Sequence, residues 1–184
     1  PVRSMQRSTL STVLFMAVSL GAMAQAQRDS LLSISRGDQA SEATRLQATS
    51  DLLLRNWIAP HQDSVLALAR RMLDMKGNER IAYYGSLVAG NIWSERHIGD
   101  SVQVYLDLAT ELIPDTTVKP DRAWLYALEA NAANDRGDWI ASIGSLKTGL
   151  GLAEEVSDHG MEVHFLLWLA TPLGQVGETV EATE

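Results

Sequence analysis

The sequence predicts an all-α protein, an array of about three helix pairs with a partial fourth. Three observations lead there. From Ser41 onward apolar residues recur with helical spacing, and no stretch alternates in the manner of a strand. Breakers are few and fall between the periodic segments. Short residue groups also return about 40 positions apart, the mark of a repeated supersecondary unit. The composition permits a core, since 46% of the 184 residues are hydrophobic and 21% charged. That is too apolar for a disordered chain and long enough for one domain or a short array.

Residues 1–26 read as an export signal. Arg3 and Arg7 are the only charges before Arg28, and the run from Leu10 to Ala26 is mostly Leu, Val, Phe, Met and Ala. It ends in the small-x-small steps Ala22-Met23-Ala24 and Ala24-Gln25-Ala26, as a signal peptidase requires. A retained anchor is the alternative, but the apolar run is short against the roughly 20 residues of a spanning helix. The expected product is periplasmic or secreted, with no membrane insertion after cleavage. Losing the two arginines takes the net charge from −8 to −10, with 13 Lys and Arg facing 23 Asp and Glu. Such a chain repels phosphate backbones, so nucleic acid is not an expected partner. There is no cysteine, which excludes a thiol nucleophile, a lipidated cysteine and a Cys-based zinc site.

Residues 27–40 are polar apart from Leu31, Leu32 and Ile34, and are expected to form a linker or partial helix. The array is expected over residues 41–170. Its first helices are placed at Ser41–Ile58, Asn78–Arg96 and Asp121–Arg136. Their partners are Asp63–Met75, Asp100–Ile113 and Asp138–Glu155. Asp63, Asp100 and Asp138 stand where a side-chain oxygen would cap a new helix. Pro60, Pro114 and Pro120 fall between helices, and Gly77, Gly99 and Gly137 suit tight turns. Trp139, Ile143, Leu146, Leu150 and Ala153 make one stripe, and Ile81, Tyr84, Val88 and Ile92 make another. Small residues recur where two helices would cross closely: Gly90, Ala130, Ala69, Ala109 and Gly149. The repeat itself is carried by Asp63-Ser64-Val65 returning as Asp100-Ser101-Val102, 37 residues on. Asn91 and Arg96 return as Asn131 and Arg136, both 40 on.

Over Ser41 to Ala170 the chain resembles the tetratricopeptide-repeat (TPR) superfamily. One unit matches with Gly90, Trp93, Val102, Leu106, Ala109 and Pro114. The next matches with Ala130, Gly137-Asp138-Trp139, Ser142, Leu146 and Gly149. His97 and Ile98 replace the expected turn Gly-Asp, Ala133 replaces an aromatic, and the period exceeds the usual ~34 residues. The longer, about 40-residue bacterial type is the nearer likeness. The resemblance implies a right-handed α-α superhelix, a TPR-like solenoid. Its concave groove would be lined by first-helix side chains: Tyr84, Leu87, Asn91, Trp124, Ala127 and Asn131. The two asparagines match a position that hydrogen-bonds a bound peptide backbone. Tyr84 and Trp124 either line that groove or belong to the core between helices. Lys or Arg, which grip a C-terminal carboxylate in some members, is replaced by Leu87, Ala127, Ser94 and Asn134, which favours a neutral or apolar segment.

Gly160 to Ala170 begins a fourth first helix, which Thr171-Pro172 is expected to end, leaving 171–184 as a polar tail. With no polar capping helix visible, the exposed last helix is a candidate surface for self-association. Catalytic patterns are missing. His61, His97, His159 and His164 scatter over turns and a terminal helix, and His159 and His164 are five apart, off the i, i+4 spacing of a metal pair. The carboxylates are expected to cap helices or face solvent. No nucleophile elbow, phosphate loop or dinucleotide fingerprint occurs, and Gly144, Gly149 and Gly151 read as close-packing positions in a helix. The expectation is a non-enzymatic scaffold without a cofactor or metal, holding a protein or peptide partner. The alternative is the extracytoplasmic input region of a larger bacterial signalling protein.

Overall fold

The computed structural model describes residues 25–55, 61–113 and 119–181, with side chains up to residue 177. The described residues are all-helical, with no strand among them. Residues 1–24 of the predicted signal, and Pro60 and Pro114, lie outside the described residues. α1 covers 25–36, so the expected linker is largely helix. Then follow α2 (Glu42–Leu54), α3 (Gln62–Leu73), α4 (Glu79–Glu95), α5 (Gly99–Leu112), α6 (Lys119–Asp135), α7 (Trp139–Glu155) and α8 (His159–Glu181).

Side-chain caps start many of these helices. Ser41, Asn78 and Asp138 accept from the backbone N–H three residues on, at 3.2, 3.2 and 3.0 Å. Asp158 does the same for Met161 at 3.0 Å. Each satisfies one of the N–H groups that a helix start leaves without a partner. Asp63 and Asp100 depart from the expected capping role. The residues flanking those helices are His61 and Ile98, neither with a side-chain cap, and the two aspartates sit inside the first turn. There they face the positive end of the helix dipole.

Helix ends follow one recipe. α4, α6 and α7 each close with a backbone bond over five residues: Ile98 N–H to Trp93 O, Asp138 N–H to Ala133 O, and Asp158 N–H to Ala153 O. The residue before each donor is left-handed: His97 (φ 56°), Gly137 (φ 74°) and Ser157 (φ 55°). This closure satisfies orphan carbonyls and favours glycine, yet two of the three positions lack it. The expected turn glycine Gly99 is instead the first residue of α5.

α4 is buried almost all round, from Ile81 through Gly90, because it has neighbours on every side. It touches α2, α3, α5 and α6. α5 also touches α6, and α7 lies against both α6 and α8. The outer partners bury narrow stripes only: Val65, Ala69 and Met72 on α3, and Ser142, Leu146, Gly149 and Ala153 on α7. The expected close crossings are real at two glycines. A Cβ on Gly90 would meet Leu128 Cδ1 at 2.7 Å, and one on Gly149 would meet Phe165 at 2.5 Å. Gly144 and Gly151 face open space, so close packing does not account for them.

The C-terminal segment differs from expectation. α8 does not stop at Thr171-Pro172 but continues to Glu181 with Pro172 inside it. Proline there removes one i→i−4 hydrogen bond. Pro172 is buried, so packing of its ring offsets that loss. Along the same helix Val163, Leu166, Leu167 and Leu173 stay exposed.

Candidate functional site

Tyr84, Leu87 and Asn91 on α4, and Trp124, Ala127 and Asn131 on α6, follow the same i, i+3, i+7 spacing, which puts each trio on one helix face. Five of the six meet in space. Leu87, Asn91, Trp124, Ala127 and Asn131 surround one crevice together with Leu54 of α2, Leu128, and Trp168 of α8. Asn131 Nδ2 donates to Asn91 Oδ1 at 3.0 Å. Each amide thus meets a partner from the neighbouring helix, which suits groups that are half out of water. Tyr84 lies one turn earlier, with its hydroxyl on Asp121.

This face is closed. Tyr84, Leu87, Trp124 and Ala127 are each at most 3% exposed, so in this conformation they are core. The crevice between them measures about 10 Å³, the space of a single water. What closes it is α2: Leu52, Leu53 and Leu54 are buried, and Leu54 reaches α4, α6 and α8 together.

An ionic cluster borders the crevice. Asp121, 2% exposed, accepts two bonds from Arg80, Nε to Oδ2 at 2.8 Å and Nη2 to Oδ1 at 3.0 Å. The Tyr84 hydroxyl donates to Oδ1 at 2.6 Å, and the Tyr83 hydroxyl donates to the Asp121 carbonyl at 2.5 Å. Burial raises both phenols well above their ordinary range, and the nearby Asp121 charge adds to it. The tyrosines therefore stay protonated and donate to Asp121. Arg80 in turn has its affinity for the proton raised by the Asp121 hydrogen bond.

A pair buried on both sides joins distant elements. Arg55, just after α2, donates Nη1 to Asp158 Oδ1 at 2.9 Å and Nη2 to Oδ2 at 2.6 Å. Their side chains are 5% and 13% exposed. The Arg55 guanidinium also lies 5.6 Å from the Trp124 ring centre. Breaking a buried pair of this kind typically costs about 3–5 kcal/mol, whereas exposed pairs such as Lys119–Glu155 and Arg71–Glu42 are worth about 0–1. Arg55–Asp158 is therefore the ion pair that most constrains this region.

Beside it stands an aromatic group. His164 lies 5.2 Å from Trp124 and 4.1 Å from Trp168, ring centre to ring centre, with Phe165 adjacent. Burial, helped by the Arg55 charge, pushes His164 down to about 4. His164 Nε2 and Trp124 Nε1 are buried without a hydrogen-bond partner among the described residues. His164 thus departs from the expected turn or surface histidine, because the α8 face that carries it turns onto α6. His61 and His97 are exposed as expected. Asp121 departs from the expectation of solvated or capping carboxylates, whereas Asp158 caps α8 as expected and also pairs with Arg55. Arg55, Arg80, Leu54 and Trp168 were not among the expected site residues. The one sequence signal for Arg55 is its place directly after Leu52-Leu53-Leu54, where the next residue on an apolar face must answer a buried charge.

A larger cleft of about 200 Å³ lies between α6, α7 and α8, lined by Asn131, Asn134, Leu146, Leu167, Trp168 and Thr171. Its polar side chains are two amides, a hydroxyl and an indole N–H, which can hydrogen-bond a ligand and do not titrate near neutral pH. Among the described residues no group of three or more His, Asp or Glu is placed to hold a metal. None of the helices searched is long and apolar enough to cross a membrane. Compared with protein-family models, with curated proteins and with solved structures, the chain matches none.

Proposed function

We propose that the chain is an exported, non-catalytic scaffold of TPR-like helical hairpins that binds a protein or peptide partner. The observation that carries this reading is a contact repeated at the sequence offset. Arg96, at the end of α4, donates to Asp63 at the start of α3, 2.7 Å away and 33 residues back. Arg136, at the end of α6, donates to Gln103 at the start of α5, 3.0 Å away and also 33 residues back. Arg96 and Arg136, 40 residues apart, thus each tie the end of one helix to the helix before it, although Gln103 stands three residues beyond Asp100, the repeat of Asp63. Asn131 and Asn91, 40 apart, join one unit to the next. An array of like hairpins, α2 beside α4 and α4 beside α6, is the arrangement this favours, with first helices along one face.

Such arrays work by offering a surface, and the polar groups that converge here are amides and saturated ion pairs. The scaffold reading is tested by using the chain to capture partners from an envelope extract. Specific capture that weakens in the Asn91→Ala, Asn131→Ala double variant is expected. Capture left unchanged by that variant would remove the inner face from the proposal, and no specific capture would remove the scaffold itself.

A further inference from the structure

α2 does more than begin the array. Its last turn sits on the inner face, with Leu54 among Leu87, Asn91, Trp124, Asn131 and Trp168. Arg55 then spans 103 residues of sequence to Asp158. Among the described residues the other arginine and lysine pairs bridge only 29 to 41 residues. Of the three buried leucines that end α2, Leu54 lines the crevice, so one leucine and one arginine fill the place where a bound segment would lie.

The fit is incomplete. Trp124 Nε1 and His164 Nε2 lie beside Arg55, buried and without a partner among the described residues. Buried groups left so are costly, and an occupant that satisfied them would hold more tightly. α2 is also placed to leave without disturbing the later hairpins: its main helix contact is with α4, and locally held segments open before the rest of a fold.

From these contacts we infer that the Leu52–Arg55 turn is an internal stand-in for a partner: a displaceable occupant latched by Arg55 to Asp158, on a face that accepts an amphipathic helix ending in leucine followed by arginine. The inference rests on the proposed binding role of the inner face. Arginine is specified because Asp158 takes both arms of a planar guanidinium, a geometry lysine cannot reproduce. Leucine is specified because the crevice leaves about 10 Å³ around Leu54, which no larger side chain would fit.

The test is a fluorescence-anisotropy titration with a labelled peptide of the sequence of residues 42–55. The full chain is compared with its Arg55→Gln variant, Asp158→Asn variant, and the charge-reversed pair Arg55→Asp with Asp158→Arg. Unlatching raises the open fraction, so Arg55→Gln is expected to bind the peptide about tenfold more tightly than the unmodified chain or better. Asp158→Asn gains little, having lost the acceptor for the peptide's arginine, and the charge-reversed pair stays closed. Equal binding by the unmodified chain and Arg55→Gln overturns the inference. So does equal binding of a peptide whose last residue, the arginine of position 55, is replaced by glutamine. Dimers of Arg55→Gln formed by exchange of α2, read by light scattering, would overturn it in favour of a second copy as occupant. Hydrogen exchange on the unmodified chain guards against a variant that does not fold: α2 amides should exchange in an opening that leaves α4 and α6 protected. Exchange of all three in one event would contradict a displaceable α2. Envelope capture that saturating peptide does not compete would count against this inference alone. Peptide uptake without any envelope capture would count against the scaffold reading alone.

Discussion

Asp51 and His164 carry opposite proton debts in the same neighbourhood. Asp51, partly buried on α2, has its carboxyl raised by burial to about 6, with Asp121 adding and Arg55 opposing. The folded chain therefore holds that proton where the unfolded chain has released it. Stability from this group is full below about pH 4 and is lost as pH rises through 6. Asp51→Asn is expected to add about 2 kcal/mol at pH 7 and nothing at pH 4, as read from urea midpoints at the two values. His164 runs the other way. Depressed to about 4 by burial, it contributes stability above its ordinary value of 6.5 that is lost as pH falls toward 4. His164→Phe suits the ring cluster of Trp124, Phe165 and Trp168. It is expected to be near neutral at pH 7 and stabilising by up to about 3 kcal/mol at pH 4. A variant whose acid limb matched that of the parent would refute the buried, neutral imidazole.

Among the elements, α7 offers the sharpest contrast. A methyl at Gly149 would run into Phe165 at 2.5 Å, while one at Gly144 meets nothing within 4 Å. Gly149→Ala is expected to destabilise by about 1–3 kcal/mol through overpacking, and Gly144→Ala to stabilise by up to about 1 kcal/mol through helix propensity. Thermal melts of the two variants should move in opposite directions. The elements themselves were legible in the sequence. Helical spacing placed α3 to α7 to within a few residues, since burying one face forces that period on the chain. The caps at Asn78 and Asp138 and the turns at Gly77 and Gly137 were visible as residue types. The missed features are of another kind. The helical course through Pro172 depends on burial of its ring, and the left-handed His97 and Ser157 occupy places where a glycine would be read. Periodicity reports which face is covered, never by what. The site shows the same limit. The set Leu87, Asn91, Trp124, Ala127 and Asn131 was implied by the resemblance, and equal spacing on two like helices lets its members meet. The covering of that face by Leu54, and the pairs Arg80–Asp121 and Arg55–Asp158, lie 41 and 103 residues apart and obey no repeat.

At the scale of the whole molecule, the proposed array depends on equivalent residues of successive units standing side by side. Asn91 and Asn131 are the clearest such pair, on α4 and α6, 40 residues apart and joined at 3.0 Å. The chain contains no cysteine, so two can be introduced without ambiguity. The direct measurement is therefore reaction of the Asn91→Cys, Asn131→Cys variant with a short thiol crosslinker that fluoresces only when both arms have reacted. The proposed stacking predicts rapid intramolecular crosslinking in the monomer, abolished by denaturant. Two free thiols in a variant that keeps its helical circular dichroism would contradict it.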